Sequence, residues 1–392
     1  MKNKLRSVAK SNAFQSIAAS LLCIIVGLVI GFIVLLIIKP QGAWKGITDL
    51  LKNFFYFNGE KLRLKYFGST LVKTAPLIMC SLSILFCYKV GLFNIGVAGQ
   101  YCVGVGISLY TSLAWGLPWW LCMLLALIAG CVMGAIVGFL KAYRNVNEVI
   151  SGIMLNWIVL YAVNMLLANV KESTSPYTLV IPSESASLIP SWGLSSLFGG
   201  NKRVSIAIPL AIIVAVAVYI ILERTKFGYE LKATGFNKHA AKYAGMAEKR
   251  NVIVTLAIGG GLAGLGAAMF YLTGYEQWNC SLSSVPSMGF NDIAAAFLGG
   301  LNPIGCLFSS YFIQHITEGG ANLDKMTYSA EISDLISSII IYLCGFVLFI
   351  KFMMNKSIKN SEEKRAAAGH VEPLPGTDTA VIVEEKGKGG DE

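Results

Sequence analysis

Charge is scarce in this sequence. Only 14% of its 392 residues are charged and 55% are apolar, whereas an ordinary soluble domain carries about a quarter charged residues. The composition therefore predicts an integral membrane protein. Lys and Arg outnumber Asp and Glu by 32 to 22, but they lie in short segments between apolar runs, where they set membrane orientation. Nucleic acid is accordingly not expected as a partner.

Paired cysteines and clusters of metal ligands are also missing from the sequence. The nine cysteines include no C-x-x-C pair, and all but Cys280 lie inside apolar runs, which excludes a disulfide scaffold or a zinc ribbon. His239, His315 and His370 are the only histidines and lie far apart, so no metal site is expected. Without a pair of carboxylates in mid-membrane, we predict no catalytic residues and no enzyme.

Long apolar runs supply the predicted membrane spans, because a helix needs roughly 20 apolar residues to cross a bilayer. Runs of that length lie at 14–38, 69–88, 118–140, 149–170, 204–222, 252–274 and 335–354. Two further stretches, 91–113 and 290–316, are apolar but interrupted. The second should split into two short helices between Asn302 and Pro303, since proline cannot continue the preceding helix. About ten transmembrane elements are therefore expected in an all-α protein.

Loop charge and tail composition give the expected orientation and domain limits. Basic residues favour the segments that an inside N-terminus would place in the cytoplasm, so we expect both termini inside. After residue 354 the sequence becomes polar and rich in Gly, Pro, Glu and Lys. The sequence therefore predicts a transmembrane domain over 1–354 and a disordered cytoplasmic tail over 355–392, to which we assign no function.

Two similar stretches indicate an internal repeat. The first half contains Gly-Leu-Phe-Asn-Ile at 91–95, and the second contains Gly-Phe-Asn-Asp-Ile at 289–293. If 69–170 and 252–354 are the repeats, their topologies are inverted. Inverted repeats with glycine-interrupted helices point to a transport pathway at the repeat interface. Glycine also allows helices to pack closely, which is an open alternative for both breaks.

Glycine runs without an adjacent Asn have a simpler interpretation. The spacing Gly-x-x-x-Gly-x-x-x-Gly at 130–138, and the glycines of 259–266, are typical of close helix packing.

Polar side chains within apolar spans are costly unless something uses them. The candidate pathway residues are Phe93, Asn94, Gln100, Asn156, Asn291 and Asp292. Lys73 could pair with Asp292 across the repeats, but snorkelling from near the start of its helix explains it as well and is favoured. Uncharged amides suit a neutral, hydroxyl-rich cargo better than an ion.

The longest inner loop, 223–250, has the pattern of a docking helix. Ala240, Ala241, Ala244 and Gly245 recur at helical spacing opposite basic side chains, and such a flat face fits a groove on another protein. A solvated basic loop that only follows the orientation rule is the alternative. The chain has no G-x-x-x-x-G-K-[ST] motif, so any nucleotide energy would have to come from a separate subunit.

Four stretches resemble a known family. They read Gly-Leu-Phe-Asn-Ile-Gly-Val-Ala-Gly-Gln at 91–100, Asn-Glu-Val-Ile-Ser-Gly-Ile-Met-Leu-Asn at 147–156, the loop at 233–246, and Gly-Phe-Asn-Asp-Ile with Leu-Gly-Gly-Leu-Asn-Pro-Ile-Gly at 289–305. The chain resembles permease subunits of bacterial ABC importers, in the branched-chain amino acid and ribose permease superfamily. The resemblance is greatest to the nucleoside and simple-sugar branch.

The resemblance implies a membrane subunit that imports nucleosides or related sugar-like solutes across the bacterial cytoplasmic membrane. It implies partners as well: an ATPase subunit that holds ATP and Mg²⁺, a substrate-binding lipoprotein and a second, non-identical permease. The chain itself would bind no cofactor. The first break would lie beside the substrate path, and the loop would contact the ATPase. The implied coupling residues are Ala233, Gly235, Ala240, Ala241, Ala244 and Gly245.

A ten-span secondary transporter is the main alternative, since inverted repeats and broken helices suit it equally well. It would need a coupling-ion site, for which Asp292 is the clear membrane candidate. The chain also departs from the branch's usual pattern, with Ala98 in place of Glu and Asn291–Asp292 in place of Asp-Gly. These departures leave the cargo less defined than the class of importer.

Overall fold

The apolar runs become helices in the computed structural model, which describes residues 12–323, 335–336, 338–339, 341–343 and 345–367. Regular structure there is helical, with two isolated β-bridges, Lys171 to Thr178 and Tyr177 to Asn279. The helices are α1 (Asn12–Ile38), α2 (Ala43–Lys52), α3 (Glu60–Lys89), α4 (Val97–Leu113), α5 (Trp119–Arg144), α6 (Glu148–Leu167), α7 (Leu194–Leu197), α8 (Ala207–Arg224), α9 (Lys226–Phe236), α10 (Lys238–Tyr243), α11 (Glu248–Tyr271), α12 (Met288–Leu298), α13 (Pro303–Gly320) and α14 (Val347–Ala367).

Within the described ranges, six helices are long and apolar enough to cross a membrane. They are α1, α3, α5, α6, α8 and α11, and each coincides with one of the uninterrupted apolar runs. The remaining run, 335–354, falls partly outside the described residues. The helices therefore agree with a multi-pass membrane protein, as the composition predicts.

Both interrupted stretches are broken in the structure. The chain leaves α3 and turns at Gly91, whose φ of +73° favours glycine, before α4 begins at Val97. Helices α12 and α13 are separated at 299–302, where the side chain of Asn302 accepts hydrogen bonds from the first amides of α13. Proline stands at the first position of that helix, where its missing N–H is not needed. The predicted split before Pro303 is confirmed.

The second Phe–Asn pair does not lie at a break. Phe290 and Asn291 belong to α12, which begins at Met288, so the expectation of two matching breaks is wrong in this half. The difference follows from the residues that come next. Three alanines follow the second pair and favour a helix, whereas Ile95 and Gly96 follow the first and α4 starts only after them.

Helix α11 packs against α5, α3 and α4. Its contact with α5 is made by backbone: a Cβ added at Gly130 would collide with the carbonyl oxygen of Gly260, and one at Gly134 with that of Leu256. A Cβ at Gly138 would lie 2.8 Å from the Cα of Ile253. The packing interpretation of the two glycine runs is confirmed.

The last described helix continues past the predicted start of the tail. Helix α14 extends to Ala367, whereas the composition predicted disorder from residue 355. The residues after Met354 include several Lys, Glu and Ala, which have high helix propensity and prolong a helix that is already nucleated. The rest of the predicted tail, 368–392, lies outside the described residues.

Replacing Gly134 with Leu should separate α5 from α11. The new side chain meets backbone that cannot rotate away, so we expect a destabilisation of about 3 kcal/mol or more. Thermal unfolding of the purified protein in detergent measures it. The control is Val132→Leu on the exposed side of α5. If both variants and the parent protein have the same melting temperature, this contact does not determine the stability of the fold.

Candidate functional site

A buried amide cluster lies at the first break. The Nδ2 atom of Asn94 donates to Oε1 of Gln100 at 2.8 Å and to Oγ of Ser83 at 3.2 Å. In return, Nε2 of Gln100 donates to Oδ1 of Asn94 at 3.2 Å. Gly259 of α11 comes so close that an added Cβ would lie 3.3 Å from Asn94 Nδ2. The two amides thus satisfy one another in a site formed by α3, α4 and α11.

The amide of Asn156 caps a helix to which it does not belong. The N-cap position of α4 is Gly96, which has no side chain to offer. Asn156, in α6, fills that role: its Oδ1 accepts from the backbone N–H of Gly99 at 2.8 Å, and its Nδ2 donates to the carbonyl of Ile95 at 3.0 Å. These bonds satisfy backbone groups that a helix start otherwise leaves free.

The second Phe–Asn stretch packs against the first. A Cβ at Gly289 would collide with Ala98 in the first turn of α4, so the starts of α4 and α12 touch. Asp292 is fully buried, close enough to Cys80 of α3 to influence its thiol. Phe290 is about half exposed. Of the second-half candidates, Asp292 is therefore the one that faces the interior.

Lys73 has a partner that the sequence did not suggest. Its Nζ lies 2.7 Å from Oε1 of Glu318 in α13, an oxygen that also accepts from Nε2 of Gln314 at 3.1 Å. The pair with Asp292 is therefore wrong, whereas the favoured snorkelling interpretation is not contradicted, since the Lys73 side chain remains partly exposed; it simply did not include this partner. Glu318 was missed because it lies just beyond residue 316, where the apolar run was taken to end.

Two cations lie over one tyrosine of the loop after α11. Lys73 Nζ is 5.1 Å and Arg203 Cζ 4.9 Å from the ring centroid of Tyr275, within range of a cation–π interaction. The neighbouring Glu276 is partly buried, which raises the pKa of its carboxyl; Lys73 opposes that shift and Glu318 adds to it. Ion pair and ring together join α3, α13 and the loop after α11.

The loop after α6 and the loop after α11 are hydrogen-bonded into one layer. The amide of Thr178 donates to the carbonyl of Trp278 at 2.9 Å, and that of Cys280 donates to the carbonyl of Pro176 at 2.8 Å. Asn164 holds this layer to the membrane helices, since its Oδ1 accepts from Trp278 Nε1 and its Nδ2 donates to the carbonyl of Leu282, both at 2.8 Å.

The inner loop forms two helices rather than one. Helix α9 ends at Phe236, and Asn237 starts α10 by accepting hydrogen bonds from the amides of His239 and Ala240 at 3.0 and 3.1 Å. An Asn side chain competes with helix continuation and favours such a cap.

The predicted coupling residues consequently do not share one exposed face, so the expectation of a single small-residue face is wrong. Ala233 and Gly235 belong to α9, and Ala241 is buried. The other three are exposed: Ala240, Ala244 and Gly245.

Gly235 joins this loop to the first break. A Cβ at Gly235 would collide with the carbonyl of Val90, and one at Gly91 would lie 2.9 Å from the carbonyl oxygen of Gly235. The neighbouring Thr234 accepts from Nδ2 of Asn251 in α11 at 2.9 Å. Helix α9 therefore contacts directly the turn that precedes Asn94.

Two aromatic side chains of the loop escaped the sequence analysis. Phe236 is 95% exposed and Tyr243 is 94% exposed, one at each end of α10. Large exposed aromatic side chains are typical anchors of protein interfaces. Both aromatic residues are visible in the sequence beside the basic residues of the loop, but the predicted docking face rested on its small residues alone.

The chain matches a described family and several named proteins. Residues 66–345 match the family described as branched-chain amino acid transport system, permease component. The nucleoside ABC transporter permease protein NupB of Lactococcus lactis subsp. cremoris is 33% identical, over 90% of this chain and 97% of that protein. The guanosine ABC transporter permease protein NupP of Bacillus subtilis is also 33% identical, over 86% and 95%.

A more distant match is named as a second nucleoside permease from the same organism as NupB. The nucleoside ABC transporter permease protein NupC, also of Lactococcus lactis subsp. cremoris, is 28% identical over 62% of this chain and 78% of that protein. No solved structure matches the chain.

Replacing Asn156 with Ala should loosen the start of α4. The change removes the partners of the Gly99 amide and the Ile95 carbonyl, and leaving buried backbone groups unpaired costs about 1–3 kcal/mol each. We expect a lower melting temperature and faster amide exchange in the first turn of α4. Asn169→Ala, at an exposed Asn that bonds only locally, is the control. Unchanged exchange in α4 would contradict the capping role.

Proposed function

The chain belongs to the family of branched-chain amino acid transport system permease components, and on that premise we propose that it is the membrane-spanning subunit of an ATP-driven importer for nucleosides. Two relatives with 33% identity, each matched over almost its whole length, are named as nucleoside and guanosine permeases. The structural observation that carries the proposal is the contact of Gly235 with Val90 and Gly91, which links the inner loop to the buried amides.

The proposed assembly contains partners as well as the chain itself. An ATPase subunit holding ATP and Mg²⁺ would bind the inner loop, and a substrate-binding lipoprotein would deliver cargo to the outer layer, in the bacterial cytoplasmic membrane. A second, non-identical permease is supported by two differently named nucleoside permeases from one Lactococcus lactis strain, both similar to this chain.

The proposed topology has about ten membrane elements in two inverted repeats, with both termini inside. It is supported by the contacts that the loops make with the two ends of α3. Gly235 of the inner loop contacts Val90 at the end of α3, while Gly199 contacts Lys61 at the start of that helix. The loops assigned to the inside thus meet one end of α3, and the loops assigned to the outside meet the other.

The coupling between the ATPase and the substrate path follows from the same contacts. When the ATPase pair closes, it moves α9 and α10, and Gly235 presses on the turn at Val90 and Gly91. That turn leads within a few residues to Asn94, whose bonds to Gln100 hold the start of α4. The amide cluster therefore rearranges as the path changes the side to which it opens.

Uptake by the purified assembly tests the proposal as a whole. Proteoliposomes containing the chain, its copurifying partners and the lipoprotein should accumulate radiolabelled nucleoside only when ATP is supplied. Uptake by the chain alone, driven by an ion gradient without ATP, would instead establish the secondary transporter.

Removing both exposed aromatic side chains should weaken ATPase binding. In the double variant Phe236→Ala, Tyr243→Ala, we expect recovery of the ATPase by pull-down to fall about tenfold or more, because truncating an interface anchor costs about 2 kcal/mol or more. Trp192→Ala, which removes an aromatic side chain exposed in the 171–203 loop, is the matched control. If the double variant recovers as much ATPase as this control, the docking surface lies elsewhere.

A larger side chain at position 235 should reduce transport without weakening the docking of the ATPase. In Gly235→Leu the side chain meets the backbone of Val90, and an overpacking cost of about 1–3 kcal/mol corresponds to a loss of uptake of about fivefold to a hundredfold. The ATPase should still copurify, because Phe236 and Tyr243 are untouched. Ala114→Leu, at an exposed site, is the control. Normal nucleoside uptake by Gly235→Leu would show that this contact does not transmit motion.

A further inference from the structure

Asp292 is an exception among the buried polar residues of the candidate path. Asn94, Gln100 and Asn156 all have hydrogen-bonding partners. Asp292 is fully buried, yet neither carboxylate oxygen forms a hydrogen bond of good geometry with a described residue, and the donors beside it are the backbone N–H groups of Asp292 and Ile293 in its own helix. Burial of an unpaired carboxylate is strongly unfavourable, and buried polar groups without partners are rare. Such a group points to a ligand that supplies the missing donors.

The cations in the described part of the chain do not supply them. No salt bridge among the described residues includes Asp292. Lys73, on the helix that faces α12, is bound to Glu318. The titratable group identified beside Asp292 is the thiol of Cys80, which is a weak donor. Among the described residues no side chain supplies the donors that this carboxylate needs, so they are expected from a bound molecule.

The position of Asp292 suits contact with cargo. One turn before it, Gly289 packs on Ala98 at the start of α4, next to the amide cluster of Asn94 and Gln100. Helix α12 is short, and irregular backbone precedes and follows it. A short helix between two irregular segments can shift without unravelling its neighbours, so an inward- or outward-opening movement can expose the carboxylate to the path.

We propose that Asp292 binds the cargo by accepting two adjacent N–H donors from a guanine base, an inference that rests on the proposed nucleoside transport. An ionised carboxylate offers only acceptors, on two oxygens that take a paired set of donors. Guanine presents its ring N1–H beside its 2-amino group. Adenine presents a donor beside an acceptor, and uracil and cytosine offer no two adjacent donors. The carboxylate is therefore complementary to guanosine among the common nucleosides.

Binding to the unaltered complex is the first test. Equilibrium dialysis of the detergent-purified complex, without its lipoprotein, compares guanosine, inosine and adenosine. Inosine keeps the N1–H but lacks the 2-amino group, so it should bind about tenfold less tightly than guanosine, since a hydrogen bond to a charged group is worth about 1.5–3 kcal/mol. Adenosine should bind more weakly still. Equal binding of guanosine and adenosine would overturn the inference.

The variant Asp292→Asn is the second test. Its amide has one acceptor atom and one donor group, which match the N1 and 6-amino edge of adenine but can no longer accept both the N1–H and the 2-amino donors of guanine. We expect the ratio of guanosine to adenosine uptake, in proteoliposomes with ATP and the same lipoprotein, to fall by about tenfold to a hundredfold. Asp292→Glu, which keeps the paired acceptors, should retain the preference for guanosine at a lower rate. Asp49→Asn, at another buried carboxylate, controls for loss of charge.

The outcomes separate this inference from the proposed function. If the parent complex takes up no nucleoside, the proposed function fails and the inference fails with it. If Asp292→Asn transports nucleosides with the parent's preference, only the inference fails. An equal loss for every nucleoside, in a protein that melts like the Asp49→Asn control, would also overturn it, because it would assign Asp292 to gating instead of recognition.

Discussion

Backbone amides and carbonyls in a bilayer have no water to bond, so every interruption of a membrane helix needs partners from within the protein. This constraint explains the placement of polar side chains at the breaks. Asn302 satisfies the first amides of α13 from its own N-cap position. Asn156 does the same for α4 from a different helix. The interrupted backbone at these two breaks is thus completed by particular Asn side chains.

Backbone contact at glycine is the second organising feature. Between α5 and α11 it holds two helices without intervening side chains. Between Gly235 and Val90 the same kind of contact joins a peripheral loop to the interior. Side chains at such a joint would absorb a displacement by changing rotamer, whereas backbone in direct contact passes it on. Rigid packing and the proposed mechanical coupling therefore use the same residue type in different places.

Local patterns in the sequence predicted the local features. The six described membrane-length helices, the split before Pro303 and the packing role of the glycine runs all follow from composition and spacing. The contacts that define the site could not be obtained in that way. Lys73 and Glu318 are 245 residues apart, and a single sequence contains no signal that pairs them. The wrong expectation of a second break came from matching Phe–Asn alone, although the alanines that follow Asn291 favour a helix.

The cap that Asn156 provides also affects how the protein is made. The start of α4 leaves the ribosome before its capping residue, which lies 57 positions later. At a synthesis rate of 5–20 residues per second, that interval lasts about 3–11 s. Throughout it, the Gly99 amide and the Ile95 carbonyl must find water or the insertion machinery as partners. The first turn of α4 is therefore completed only after α6 has been synthesised and has packed against it.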